Sequence, residues 1–159
     1  MRKRSVLKCT LVIALAAIFI CTGVYALDVI ELDTKGYKKL TRPKVKFSHT
    51  KHSQDYAKAN PDIFKNGCGE CHHDENNKPL KNLKENDKVQ SCIACHKEPG
   101  RKPSKEKLSK KEKIKKYHAE ATHENCSGCH QSYNKAKKLK SKDKGYAPTK
   151  AKCKVCHAK

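Results

Sequence analysis

The chain contains no tryptophan and one methionine, at position 1, and aromatic residues make up only 6% of its 159 positions. Hydrophobic residues of every kind reach 36%, too little for a conventional apolar core in a domain of this size. Acidic side chains are also scarce, 16 Asp and Glu against 37 Lys and Arg, which leaves a formal charge of +21. In a chain this polar and this charged, burial cannot offset the conformational entropy lost on folding, so composition by itself predicts disorder. Against these shortages stand ten cysteines and nine histidines. Neither residue is common in disordered chains, and together they imply a bound group that supplies the missing core.

One long apolar run is present, at the start. Arg2, Lys3, Arg4 and Lys8 precede LVIALAAIFIC at 11–21, and Val24-Tyr25-Ala26 forms a small-x-small cleavage site. This is the pattern of a Sec-type export signal, residues 1–26, with cleavage expected after Ala26. The competing reading is an uncleaved anchor, since positions 9–27 are 19 residues without a charge, just enough to span a bilayer. Gly23 and the small residues near the break favour cleavage. The mature chain, 27–159, then has no membrane span and lies in the periplasm. Export also separates its positive charge from DNA, so no nucleic-acid partner is expected.

Cys9 and Cys21 leave with the signal, and the other eight cysteines fall into one pattern. CGECH at 68–72, CIACH at 92–96, CSGCH at 126–130 and CKVCH at 153–157 are four copies of Cys-x-x-Cys-His. Two cysteines one helical turn apart can form thioethers with the vinyl groups on one edge of a porphyrin, which places the next residue under the iron. The pairs Cys68/Cys71, Cys92/Cys95, Cys126/Cys129 and Cys153/Cys156 are therefore read as attachment sites for four covalently bound haem c groups. His72, His96, His130 and His157 are the iron ligands that follow them. Zinc ribbons or local disulfides would also use Cys-x-x-Cys, but neither asks for histidine at the fifth place. Nine histidines placed at random would fill all four such places about once in a hundred thousand chains.

A haem iron held by one histidine has a sixth position, for which Met and His are the usual protein ligands. Met1 is the only methionine, so histidine must serve. His49, His52, His73, His118 and His123 remain, five candidates for four places. His49 and His52 lie in KFSHTKH on one short helix, so they cannot reach the same iron and must serve two haems. His73 follows His72 directly, points away from the haem of the first motif, and should ligate a neighbour.

KFSHTKH, the doubled histidine of CGECHH, the four attachment sites and the ending PTKAKCKVCH together resemble the class III tetrahaem cytochromes of the cytochrome c3 type, found in anaerobic, often sulfate- or metal-reducing bacteria. The resemblance covers about 29–157. It implies that His49 pairs with His72 on the first haem, His73 with His96 on the second and His52 with His130 on the third, while a histidine before the third motif pairs with His157 on the fourth. Either His118 or His123 could be that ligand. His123 lies three residues before Cys126, where short-spaced members of the family carry it, whereas His118 sits on the apolar face Ile114, Tyr117, Ala121 of a predicted helix, so His123 is favoured.

The fold expected is a small multihaem cytochrome, mostly loops, with a few short helices, a short N-terminal two-stranded β element made from VIEL and VKF, and a core formed by four c-type haems. A helix is predicted over His52 to Ala59, ended by Asn60-Pro61. Residues 97–120 form a longer, basic Lys/Glu-rich insertion in which Ser109 and Glu112 make a capping box for about three helical turns. Irons with two protein ligands have no open position for a substrate, so electron transfer at low potential in anaerobic respiration is expected, rather than enzymatic chemistry. The resemblance implies hydrogenase, formate dehydrogenase or a membrane redox complex as partners. A reductase with an open iron, or a membrane-anchored quinol-oxidising haem subunit, is the alternative.

Overall fold

The computed structural model describes residues 29–32, 34–84 and 87–158. The export signal expected over residues 1–26 lies outside the described residues, among which no helix is long and apolar enough to cross a membrane. β-Branched and aromatic side chains favour extended backbone in both predicted strands. β1 (Val29–Glu31) pairs antiparallel with β2 (Lys46–Ser48), with Val29 opposite Ser48 and Ile30 opposite Phe47. The strand β2 delivers the chain directly into His49. A widened, π-type turn over Lys51–Tyr56 follows and runs into α1 (Ala57–Ala59). The helix stops where predicted: Asn60 leaves helical geometry at φ −142° and its side-chain amide donates to the Tyr56 carbonyl at 3.0 Å. Pro61 disfavours helical backbone at the residue before it.

The basic insertion departs from expectation in one respect. Both arms of the predicted capping box form, Ser109 Oγ accepting from the Glu112 amide at 3.2 Å and Glu112 Oε2 from the Ser109 amide at 2.8 Å. The helix that they start, α2 (Lys110–Lys116), lasts about two turns rather than three. Tyr117 is extended, at φ −101° and ψ 122°, and a second helix, α3 (His118–His123), begins after it. The face Ile114, Tyr117, Ala121 therefore does not belong to one helix. Tyr117 is drawn out of helical geometry by bridge pairing with Lys97 and Glu98. It is also the most buried apolar side chain described, 7% exposed. From α3 the chain continues through a second π-type turn, Glu124–Gly128, into α4 (Cys129–Ala136), and α5 (Cys153–Cys156) closes the described chain.

Apolar packing does not hold these pieces together. Among the described residues the buried hydrophobic side chains are Tyr117 and Ala121, and no side chain falls below 2% exposure. Polar clasps substitute locally. The side chain of buried Asn134 donates to the Ala147 carbonyl and accepts from the Ala147 amide, both at 2.9 Å, and Ser127 Oγ accepts from the Lys150 amide at 3.1 Å. Each such bond contributes about 1 kcal/mol net.

A third clasp is pH-dependent. Hydrogen bonds from Lys116 and then Tyr117 hold the Glu106 carboxyl below its ordinary value near 4.5. A carboxyl depressed in the folded state stabilises above its unfolded pKa and loses that contribution as pH falls through the folded value. Amide exchange should report this. Protection at Glu98 and Ala119, whose amides bond to Lys116 and Gly100, should fall as pH drops below the ordinary carboxyl value while protection at Ala147 persists. Loss at both places together would assign acid opening to the whole molecule instead.

Candidate haem-binding centres

The first, second and fourth Cys-x-x-Cys-His each form a single turn, while the third runs from the π-type turn into α4. The amides of His72, His96 and His157 each donate to the carbonyl of the first cysteine of their motif at 2.9 Å. That bond places residues one, four and five of the motif on one side of the turn, as attachment at two points with a ligand beside them requires. In the first motif Gly69 is needed for close approach: a Cβ there would lie 2.9 Å from Pro79 Cβ and 3.2 Å from the Leu80 amide nitrogen. None of the eight cysteines of these motifs is paired in a disulfide. Burial, then neighbouring Cys126 and Cys129, pushes the Cys71 thiol up to about 12. Burial, then Cys156 and Cys92, pushes Cys126 up to about 11. The third motif thus stands close to all the others, and the Asn125 side chain donates to the Cys71 carbonyl at 3.1 Å. Among the described residues no three His, Cys, Asp or Glu side chains converge as a metal-ion site.

The histidines are arranged in facing pairs. The ring centres of His49 and His72 lie 6.5 Å apart, those of His52 and His130 6.3 Å, those of His73 and His96 6.2 Å, and those of His123 and His157 6.3 Å. These distances are too long for stacked contact, yet four unrelated pairs agree within 0.3 Å. Two imidazoles on opposite sides of one iron, with each nitrogen about 2 Å from the metal, place their ring centres about 6.3 Å apart. The pairs fit a bis-histidine haem iron, and every pair joins one motif histidine to one from outside the motifs.

The matching family is the Class III cytochrome C family, over residues 27–157. The chain belongs to that family. As a class III cytochrome c it binds c-type haem covalently and transfers electrons. No curated protein and no solved structure matches it.

The other ring nitrogen of most histidines in this cytochrome is tied to a backbone carbonyl. Nδ1 donates from His52 to Ser48 at 2.9 Å, from His73 to Asp74 at 2.7 Å, from His96 to Lys115 at 3.1 Å, from His130 to Pro148 at 2.6 Å and from His157 to Pro43 at 2.7 Å. A nitrogen facing a carbonyl must carry the proton, which leaves Nε2 as the donor toward a metal and locks the ring's orientation. Nδ1 of His123 is buried without a hydrogen bond of regular geometry, although the Ala119 carbonyl one turn earlier acts on it. Burial, foremost, lowers the pKa of His52, His72 and His123, which favours the neutral imidazole that a metal needs.

His118 is placed differently. It is buried, 6% exposed, its Nδ1 shares a hydrogen bond with the Tyr37 hydroxyl at 2.8 Å, and the two rings meet edge to face. His123, and not His118, faces His157. The carbonyls at Pro43, Lys115 and Pro148 are invisible in the sequence, because a backbone acceptor leaves no side-chain signature. Phe47 was equally unmarked; its ring lies 4.8 Å from that of His49 and 4.4 Å from that of His52, between two candidate ligands.

Proposed function

We propose that this cytochrome is a periplasmic, low-potential electron carrier with four haems, ligated by His49 and His72, His73 and His96, His52 and His130, and His123 and His157. The observation that carries the reading is the common spacing of those four pairs. Haem held in this way supplies one-electron chemistry at an iron with no free position. The chain's own residues attach it through cysteine, orient the imidazoles of His52, His73, His96, His130 and His157 through Nδ1, and keep Met, which would raise the potential, out of the ligand set. The mass spectrum of the purified protein is expected to show a terminus at Leu27 and four haem additions. The reduced protein is expected not to bind carbon monoxide. Binding would favour a reductase with an open iron, and a retained leader would favour an anchored subunit.

The reading extends to partners: hydrogenase, formate dehydrogenase or a membrane redox complex, reached through an acidic patch. Removing the leader leaves a formal charge of +17, which eight propionates lower by about eight. Ten lysines lie between positions 135 and 159, around the fourth motif. The ion pairs of the described residues involve Lys44, Lys110, Lys113 and Lys116, none of them in that stretch. Unpaired charge beside an attachment site steers a partner of opposite sign. Electron exchange with an acidic partner should slow steeply as salt rises and the screening length shortens to about 8 Å. Changing Lys150, Lys152 and Lys154 to Gln should slow association far more than changing Lys105, Lys107 and Lys110. Equal effects, or indifference to salt, would remove the fourth haem as the port.

A further inference from the structure

The insertion at 97–120 is attached to the second motif by the end of its helix. An α-helix leaves its last carbonyls without partners inside the helix. In α2 the carbonyl of Lys116 accepts from the Glu98 amide and that of Lys115 from Nδ1 of His96, both at 3.1 Å. The helix is therefore seated with its C-terminus against the residues that carry the second proximal imidazole. A groove of about 420 Å³ separates it from Cys95, lined by Lys97, Leu108, Glu112 and Lys115.

A staple keeps α2 in this position. The Glu106 carboxylate accepts from Lys116 Nζ at 2.5 Å and from the Tyr117 hydroxyl, while Lys102 Nζ donates to the Glu106 carbonyl. At the other end Lys110 Nζ reaches Glu124 at 2.6 Å, in the turn that leads into the third motif. The acceptors for His130 and His157 are loop carbonyls at 2.6 and 2.7 Å. Among these motif histidines, only His96 takes its acceptor from a helix end, and its bond is the longest.

We propose that the insertion is a positioning device for the second haem, with Glu106 as the residue that holds the Lys115 carbonyl on His96. This rests on His96 being an iron ligand, as in the function proposed above. A hydrogen bond from Nδ1 to a carbonyl makes the imidazole more basic, and the negative end of the helix dipole acts in the same direction. Both favour the oxidised iron, so releasing the helix should make this haem easier to reduce, and this haem alone.

The test is Glu106→Ala in the mature holoprotein, followed by EPR at poised potentials. The second haem can be recognised. Its two rings are crossed at 76°, against 7° and 19° for the first and third pairs and 56° for the fourth. Crossed imidazoles donate equally to the two iron d orbitals that parallel ones split, so its signal is the most axial. At a fixed potential its reduced-to-oxidised ratio should rise about threefold, equivalent to about 28 mV at 59 mV per tenfold change. The other three should not move, and Glu106→Gln, whose single amide oxygen can take the place of only one of the two carboxylate oxygens that accept from Lys116 and Tyr117, should show a smaller shift than the alanine variant. A lower Tm with unchanged potentials, or an equal shift in all four haems, would overturn the proposal. Should the alanine variant fail to mature, nitrogen-15 histidine NMR of the reduced wild-type protein decides: Nδ1–H of His96 must be hydrogen-bonded, and a solvated one sinks the idea. A haem count other than four would instead be a failure of the proposed function, visible in the mass spectrum before any potential is measured.

Discussion

Replacing all eight motif cysteines with alanine is expected to leave a chain with no cooperative thermal transition and no near-ultraviolet circular dichroism. The reason lies in how little the polypeptide buries. Tyr117 and Ala121 are the buried apolar side chains among the described residues, and burying two such groups offsets the ordering of only a few residues. Polar clasps at Asn134, Ser127 and Glu106 are local, and each bond of the two buried ones, at Asn134 and Ser127, contributes about 1 kcal/mol net. Without attached haem, nothing spans the distance between the facing histidines. Losing one motif, through Cys92 and Cys95 to Ala, should lower the melting temperature without abolishing the transition. A cooperative melt in the eightfold variant would show that the polypeptide is its own core.

Changing His52 to Met is expected to raise the potential of one haem, the third, by on the order of 0.1 V or more, since axial ligand identity sets haem potentials over a range of about 0.8 V. The same change at His49 should act on the first haem. The two residues are three apart in sequence, yet their rings face His130 and His72 respectively. In EPR each variant should lose one bis-histidine low-spin signal, and not the same one. His118→Gln should lose none, because its ring is turned to Tyr37. If both the His49 and His52 variants kept four bis-histidine signals, the ligand set would be wrong.

Local features were read correctly where short-range chemistry decides them. The strands around Val29 and Phe47 follow from β-branched and aromatic side chains, the helix stop follows from Asn60-Pro61, and the Ser109–Glu112 box forms with both arms. The length of the insertion helix was not legible. Propensity and the spacing of Ile114, Tyr117 and Ala121 favour continuation, but Tyr117 pairs with Lys97 and Glu98 and buries its ring. A contact twenty residues away in sequence outweighs a helical preference of a few tenths of a kcal/mol.

The sequence by itself pointed to the attachment chemistry, because Cys-x-x-Cys-His is contiguous, and to histidine as the proposed ligand, because a chain whose only methionine is Met1 has little else to offer a sixth position. It also required that something other than the polypeptide form the core, since that is a matter of composition. The family resemblance implied which histidine faces which, but between His118 and His123 the residues themselves left a choice that the tertiary structure decides. His118 and His123 are the same residue type and both belong to α3; their difference is that His118 meets Tyr37 and His123 meets His157. The carbonyls that orient the rings come from Pro43, Lys115 and Pro148, between 18 and 114 residues away from the histidines they hold. A backbone oxygen is the same at every residue, so only the path of the chain can say where one will be.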